Sequence, residues 1–185
     1  MRIRKRWLII ALVVILGIAM ILGLRHIPPQ NAGNNDVEPS AVAPAIGWKT
    51  YSSSSLGLEF QYPDTYLLTE GNVLPPSRVE LRLLPSASSS SSLISIRVME
   101  DPDHMPADEW VKTFSPDYRN SSGLLTSTTI SGVEGVIYRV FGDTLNADEA
   151  FAQKGDFMYN FMAQYKDLEN PIRVDYGRIL NTIKF

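Results

Sequence analysis

Residues 48–63 read WKTYSSSSLGLEFQYP. Leu58, Phe60 and Tyr62 alternate with Glu59 and Gln61, the period-two pattern of a strand with one face buried. Trp48 to Tyr51 is a shorter strand before a polar turn. Pro63 closes the second strand because it has no N–H to give to a ladder. The chain therefore enters its folded part as a pair of strands.

The same period continues downstream. Tyr66 to Thr69 reads as a short strand, and Pro75-Pro76 then interrupt the chain. Val79 to Leu84 alternates, as does Leu93 to Met99, with the serine-rich run of residues 86–92 between them as a connection. At Asp101-Pro-Asp-His-Met-Pro106 the period changes. Asp108 suits the N-cap or first turn of a short helix, Glu109 to Phe114, which stops before Pro116. Tyr118 to Leu125 is loop-like. Thr126 to Ile130 is a strand, Gly132 to Gly135 a hairpin turn, and Val136 to Phe141 the return strand. Glu149 to Gln153 and Phe157 to Gln164 form a second hairpin about Lys154-Gly155-Asp156. Pro171 opens a final helix with Ile172, Tyr176, Ile179 and Leu180 on one face, and the chain ends in Thr182-Ile-Lys-Phe185. Antiparallel strands with helices set apart from them make an α+β domain over residues 48–185.

Upstream, the character is different. Residues 7–24, WLIIALVVILGIAMILGL, carry no charge. At a rise of about 1.5 Å per residue they make a helix close to the ~30 Å hydrocarbon core of a bilayer. The run is apolar all round, unlike a helix lying on a core. Arg2, Arg4, Lys5 and Arg6 precede it and no acid occurs before Asp36, so the positive-inside rule makes residues 1–6 a cytoplasmic stub and puts the rest outside the cytoplasm. A cleaved signal peptide, the competing reading, would have a shorter apolar run of about 7–15 residues followed by a small-x-small site. Gly17-Ile-Ala19 fits such a site but lies inside the run. The expectation is a single-pass cell-membrane signal-anchor with the bilayer as the partner of residues 7–24. Residues 25–47, rich in Pro, Ala, Asn and Gly, have no apolar period and read as a disordered tether.

Charge divides along the same line. The 185-residue chain carries a net −3, but its first 25 residues hold five basic and no acidic side chains. That leaves 12 basic against 20 acidic residues in the remainder, a net −8. An acidic domain argues against nucleic acid as a partner. With no cysteine there is no disulfide, no thiolate metal site and no cysteine nucleophile.

Two segments carry a family resemblance. Trp48-Lys-Thr-Tyr51 with Gly57-Leu-Glu-Phe-Gln-Tyr-Pro63 is similar to a Y…G-F-x-F-x-Y-P opening, and Tyr176-Gly-Arg-Ile-Leu-Asn-Thr-Ile-Lys-Phe185 to an I-L-x-T-F-K-F close. Together they frame residues 48–185, which resemble the PsbP-like domains, first known from the extrinsic subunit of photosystem II. The resemblance implies a central antiparallel sheet flanked by helices, and a binding or assembly module rather than an enzyme. It does not imply a photosynthetic role.

Candidate chemistry is sparse. Asp101, Asp103 and His104, with Asp108 and Glu109, form the densest polar cluster, and such ligands suit Ca²⁺ or Mn²⁺. The cluster lacks the glycine and distal glutamate of an EF-hand loop, and acids at a helix N-terminus are ordinary dipole partners. There is no serine elbow and no phosphate-binding glycine loop, so neither a catalytic residue nor a cofactor is assigned. Asn120-Ser-Ser matches a glycosylation acceptor. Tyr51, Phe60, Tyr62, Phe157, Tyr159 and Phe161 alternate as core residues do. Met158 and Met162, on the opposite face of the last strand, suit either a covering helix, the favoured reading, or a partner surface. The function these features suggest is a non-enzymatic module held at the membrane, with a protein partner in an envelope complex. The alternative is a metal- or small-ligand-responsive sensor using Asp101 to Glu109.

Overall fold

The structure is a computed structural model and describes residues 47–71, 73–86, 91–116, 118 and 124–185. The stub, the apolar run at 7–24, the tether up to residue 46, most of the serine run and Asn120-Ser-Ser lie outside the described residues. Among the described residues, no helix is long and apolar enough to cross a membrane.

Among the described residues nine strands and two helices follow in order: β1 Trp48–Ser53, β2 Leu58–Pro63, β3 Tyr66–Gly71, β4 Ser77–Pro85, β5 Leu93–Glu100, α1 Ala107–Phe114, β6 Thr126–Ile130, β7 Val133–Val140, β8 Asn146–Lys154, β9 Phe157–Tyr165 and α2 Ile172–Leu180. The domain is α+β. Seven strands form one antiparallel sheet in the order β3-β4-β5-β9-β8-β7-β6, and β1 and β2 pair separately. Two meanders, β3-β4-β5 and β6-β7-β8-β9, are joined where β5 lies antiparallel to β9, with Ile96 opposite Phe161. Between the meanders, α1 carries the chain from β5 in the sheet interior to β6 at its edge.

The sheet is covered on both faces. On one face, Leu81, Ile96, Tyr159 and Phe161 pack against Phe60 of β2 and against Ile172, Tyr176 and Ile179 of α2. Fully burying side chains of this size contributes about 1.5–3 kcal/mol each. Ala150, Ala152 and Ala163 are fully buried there, and their small size leaves room for the aromatic rings. The buried tyrosines keep their hydroxyls satisfied, as burial demands. Tyr159 donates to the Leu56 carbonyl at 2.7 Å and Tyr176 to that of Phe161 at 3.1 Å. The other face holds a smaller core in which Trp110 and Val111 of α1 meet Met99, Val136, Tyr138, Phe151 and Met158. The methionine face of β9 does receive a helix, though only Met158 is covered by it; Met162 stays partly exposed.

Three local readings change. The β6–β7 turn is Ser131-Gly132, not Gly132 to Gly135. Both turn residues have positive φ, 50° and 76°, as a type I′ hairpin requires. Gly135 is a strand residue, opposite Ala152 in β8. A Cβ on it would lie 2.3 Å from the Phe151 carbonyl oxygen, so glycine there serves close backbone approach rather than a turn. Finally, α1 begins at Ala107 after Pro106, with no side-chain cap. Asp108 is a first-turn acid and pairs with Lys112 one turn on, at 2.8 Å.

Candidate functional site

The polar turn singled out by sequence does not fold into one cluster. Asp101 is 2% exposed. Its N–H donates to the Asp156 carbonyl at 2.8 Å, and its own carbonyl accepts from the His104 N–H at 3.1 Å. Asp103 and Glu109 are exposed. His104 has a positive φ of 52°, and its Nδ1–H donates to the Gly155 carbonyl at 2.8 Å. The turn is thus stitched to the β8–β9 hairpin, one aspartate inside the fold and the other in solvent. Among the described residues, no three His, Asp or Glu side chains are grouped to hold a metal ion.

What the turn does form is one wall of a groove. Its cavity, about 950 Å³, lies between the start of α1 and the β6–β7 hairpin. Gly135 and Val136 line it from the sheet, Ser127, Thr128 and Thr129 from the edge strand, and Leu124 and Leu125 from the chain before β6. Asp108, Lys112, His104 and Glu134 supply its charged and titratable groups. Lys112 holds the Asp108 carboxyl below its usual range by donating a hydrogen bond. Among the described residues, Glu134 has no ion-pair partner. Leu124 is 87% exposed. An open groove of mixed polar and apolar lining suits recognition of a chain segment better than an enclosed small molecule. Only His104 and Asp108 of this lining belong to the sequence-level cluster. The rest is unremarkable in sequence, and serine, threonine and leucine carry no motif that could have marked it.

A second cavity, about 410 Å³, lies on the opposite face of the same edge. Thr128, Thr129 and Ile130 of β6, Ile137 of β7 and Val174, Arg178 and Leu180 of α2 line it.

Two further carboxylates, Asp148 and Glu80, are structural ties. Burial alone would raise the Asp148 carboxyl, but hydrogen bonds from Arg139, Arg173 and Tyr165 outweigh it and hold it below the usual range. Arg173 donates at 2.9 Å and Tyr165 at 3.0 Å, and this clamps α2 to the sheet. Glu80 is held low in the same way. Burial raises it, and Arg82 and Arg97, donating at 2.7 Å and 3.2 Å, pull it down further. Each carboxylate is saturated by its donors, which suits a fixed strut rather than a reacting base.

No protein-family model and no curated protein sequence matches the chain. Solved structures do. The solution structure of cyanobacterial PsbP (CyanoP) from Synechocystis superposes with a TM-score of 0.52 at 15% identity, over 79% of this chain and 96% of that one. A crystal structure from Bacteroides thetaiotaomicron superposes with a TM-score of 0.53 at 8% identity, over 74% of this chain. The match spans about half of the Bacteroides protein, 47% of its length. The domain has a PsbP-like fold.

Proposed function

We propose that this chain is a membrane-tethered binding module. Residues 7–24 hold it in the bilayer with residues 1–6 in the cytoplasm, residues 25–47 give it reach, and the PsbP-like domain docks a protein of an envelope complex outside the cytoplasm. The observation that supports docking is the groove of about 950 Å³ between α1 and the β6–β7 hairpin, with exposed Leu124 at its mouth. The reading is non-enzymatic. Asp108 is engaged by Lys112 and His104 by a backbone carbonyl, which supports a binding role for the groove.

Site-specific photo-crosslinking in intact membranes tests this. A crosslinker at Leu124 is expected to give one discrete protein adduct, and a crosslinker at Leu67, exposed on the far edge strand β3, none. Equal labelling from both positions, or none from Leu124, would remove the groove as a docking site. Protease added outside intact spheroplasts is expected to remove residues 48–185, and survival of the domain there would overturn the orientation.

A further inference from the structure

We propose that the free edge of β6 is a strand-addition site, and that its occupant is an extended, neutral-to-basic segment of another protein. This rests on the docking function proposed above and names the kind of partner.

β6 ends the sheet order. Its five residues, TSTTI, include no charge and no proline. Sheet edges are ordinarily blunted by charge, proline or a bulge, because unpaired N–H and C=O groups recruit other strands. The Ser131-Gly132 turn fixes which groups are free. In a two-residue hairpin the flanking pair, Ile130 and Val133, exchanges backbone hydrogen bonds, and pairs alternate from there. In the observed register Thr128 faces Gly135 and Thr126 faces Ile137, so these belong to the bonded set. Ser127 and Thr129 belong to the other set and direct N–H and C=O away from β7. Among the described residues nothing pairs with them.

The cavities supply the second observation. Side chains of an added strand alternate between the two faces of the sheet. Here β6 borders two cavities: Ser127 lines only the one beside α1, Ile130 only the one beside α2, and Thr128 and Thr129 line both. On the α2 side the cavity presents Ile137, 39% exposed, and Val174, 58% exposed, with Arg178 and Asn181 beside them. On the α1 side it carries the unpaired Glu134. An incoming segment is thus read as apolar at every second position and as polar or basic at those between, which is how strand addition obtains specificity beyond its backbone bonds. Charge selects the source of the segment. A second copy would bring the same net −8 carried by the chain beyond residue 25, whereas a neutral or basic segment is drawn to it.

The test uses the full chain in detergent and a seven-residue peptide alternating valine with lysine and threonine. Amide exchange at Ser127 and Thr129 is expected to slow at least tenfold on binding, with less than a twofold change at Thr128, already bonded to β7. A peptide of the same composition with its valines grouped at one end should bind at least tenfold more weakly. The double variant Ser127→Pro/Thr129→Pro removes two outward N–H groups and no bond to β7, and should also bind at least tenfold more weakly while keeping the wild-type circular dichroism. Unchanged exchange at Ser127 and Thr129 in the wild-type chain would overturn the proposal whether or not the variant folds. So would a wild-type dimer dissociated by the double variant, since the occupant would then be a second copy. The docking function fails separately: it is lost if Leu124 gives no crosslink in membranes, whereas a Leu124 crosslink undiminished in a folded double variant overturns strand addition alone.

Discussion

Glu59 and Lys184 exchange backbone hydrogen bonds in both directions across 125 residues of sequence. The Glu59 N–H donates to the Lys184 carbonyl at 2.9 Å and the Lys184 N–H returns to that of Glu59 at 2.8 Å. Their side chains pair as well, at 2.8 Å. Next to them the Gln61 N–H donates to Thr182 Oγ1 at 2.9 Å, and the Phe185 ring sits 4.7 Å from that of Tyr159. The two segments that carry the PsbP-like resemblance are therefore one structural unit, with β2 and the last four residues bridged over the main core.

This bridge makes residues 182–185 part of the core. Deleting residues 182–185 removes buried Ile183, the Phe185 contact and the strand-like bonds to β2. The expected loss is about 3–5 kcal/mol, the scale of deleting a large core side chain. Lys184→Gln, which breaks only the exposed ion pair, should cost no more than about 1 kcal/mol. Urea unfolding of the two variants checks the contrast, and equal effects would mean that the bridge is peripheral.

Acid should unfold the domain through Asp148 and Glu80. Both carboxyls are depressed in the folded state by their arginine donors. The sign follows: a group lowered on folding contributes stability above its unfolded value of about 3.9–4.3, and that contribution is lost as pH falls through the folded value. Stability from these two groups is thus complete at neutral pH and drains away below about pH 4. Asp148→Asn should lower stability at pH 7 and flatten its fall with acid. Denaturant midpoints measured from pH 7 to pH 3 give both quantities, and a variant curve parallel to the wild type would exclude Asp148 as a source.

Two glycines should respond to alanine with opposite sign. At Gly135 the new Cβ meets the Phe151 carbonyl oxygen at 2.3 Å, so β7 and β8 must separate, at a cost of about 1–3 kcal/mol for an overpacked site. At Gly177, inside α2, nothing lies within 4 Å. Alanine there should stabilise the helix by up to about 1 kcal/mol. Melting temperatures of the two variants should therefore move in opposite directions.

Ca²⁺ or Mn²⁺ at millimolar concentration should leave the melting temperature within about 1 °C, since a ligand that binds only the folded state must raise it. Asp101 is buried and bonded through its backbone while Asp103 is in solvent, and among the described residues no three His, Asp or Glu side chains are grouped to hold an ion. A metal-dependent rise that Asp101→Asn or Asp103→Asn abolished would restore the sensor alternative.

Sequence alone carried the local part of this protein. Alternation marked the nine strands' positions to within a few residues, Lys154-Gly155-Asp156 marked a hairpin, and Pro171 marked the start of α2, because a strand's period and a turn's backbone needs are met by neighbours in the chain. Tertiary structure decided what neighbours cannot. The pairing of β5 with β9 and of β2 with Lys184 joins segments whose patterns fit many partners, and only the shared core selects among them. It also converted the apparent turn glycine Gly135 into a strand residue, because the constraint comes from the Phe151 carbonyl on the next strand. The groove is of the same kind. His104, Ser127, Glu134 and Gln153 are ordinary residues apart, and they acquire a common surface only when α1 crosses the sheet and leaves β6 at its edge.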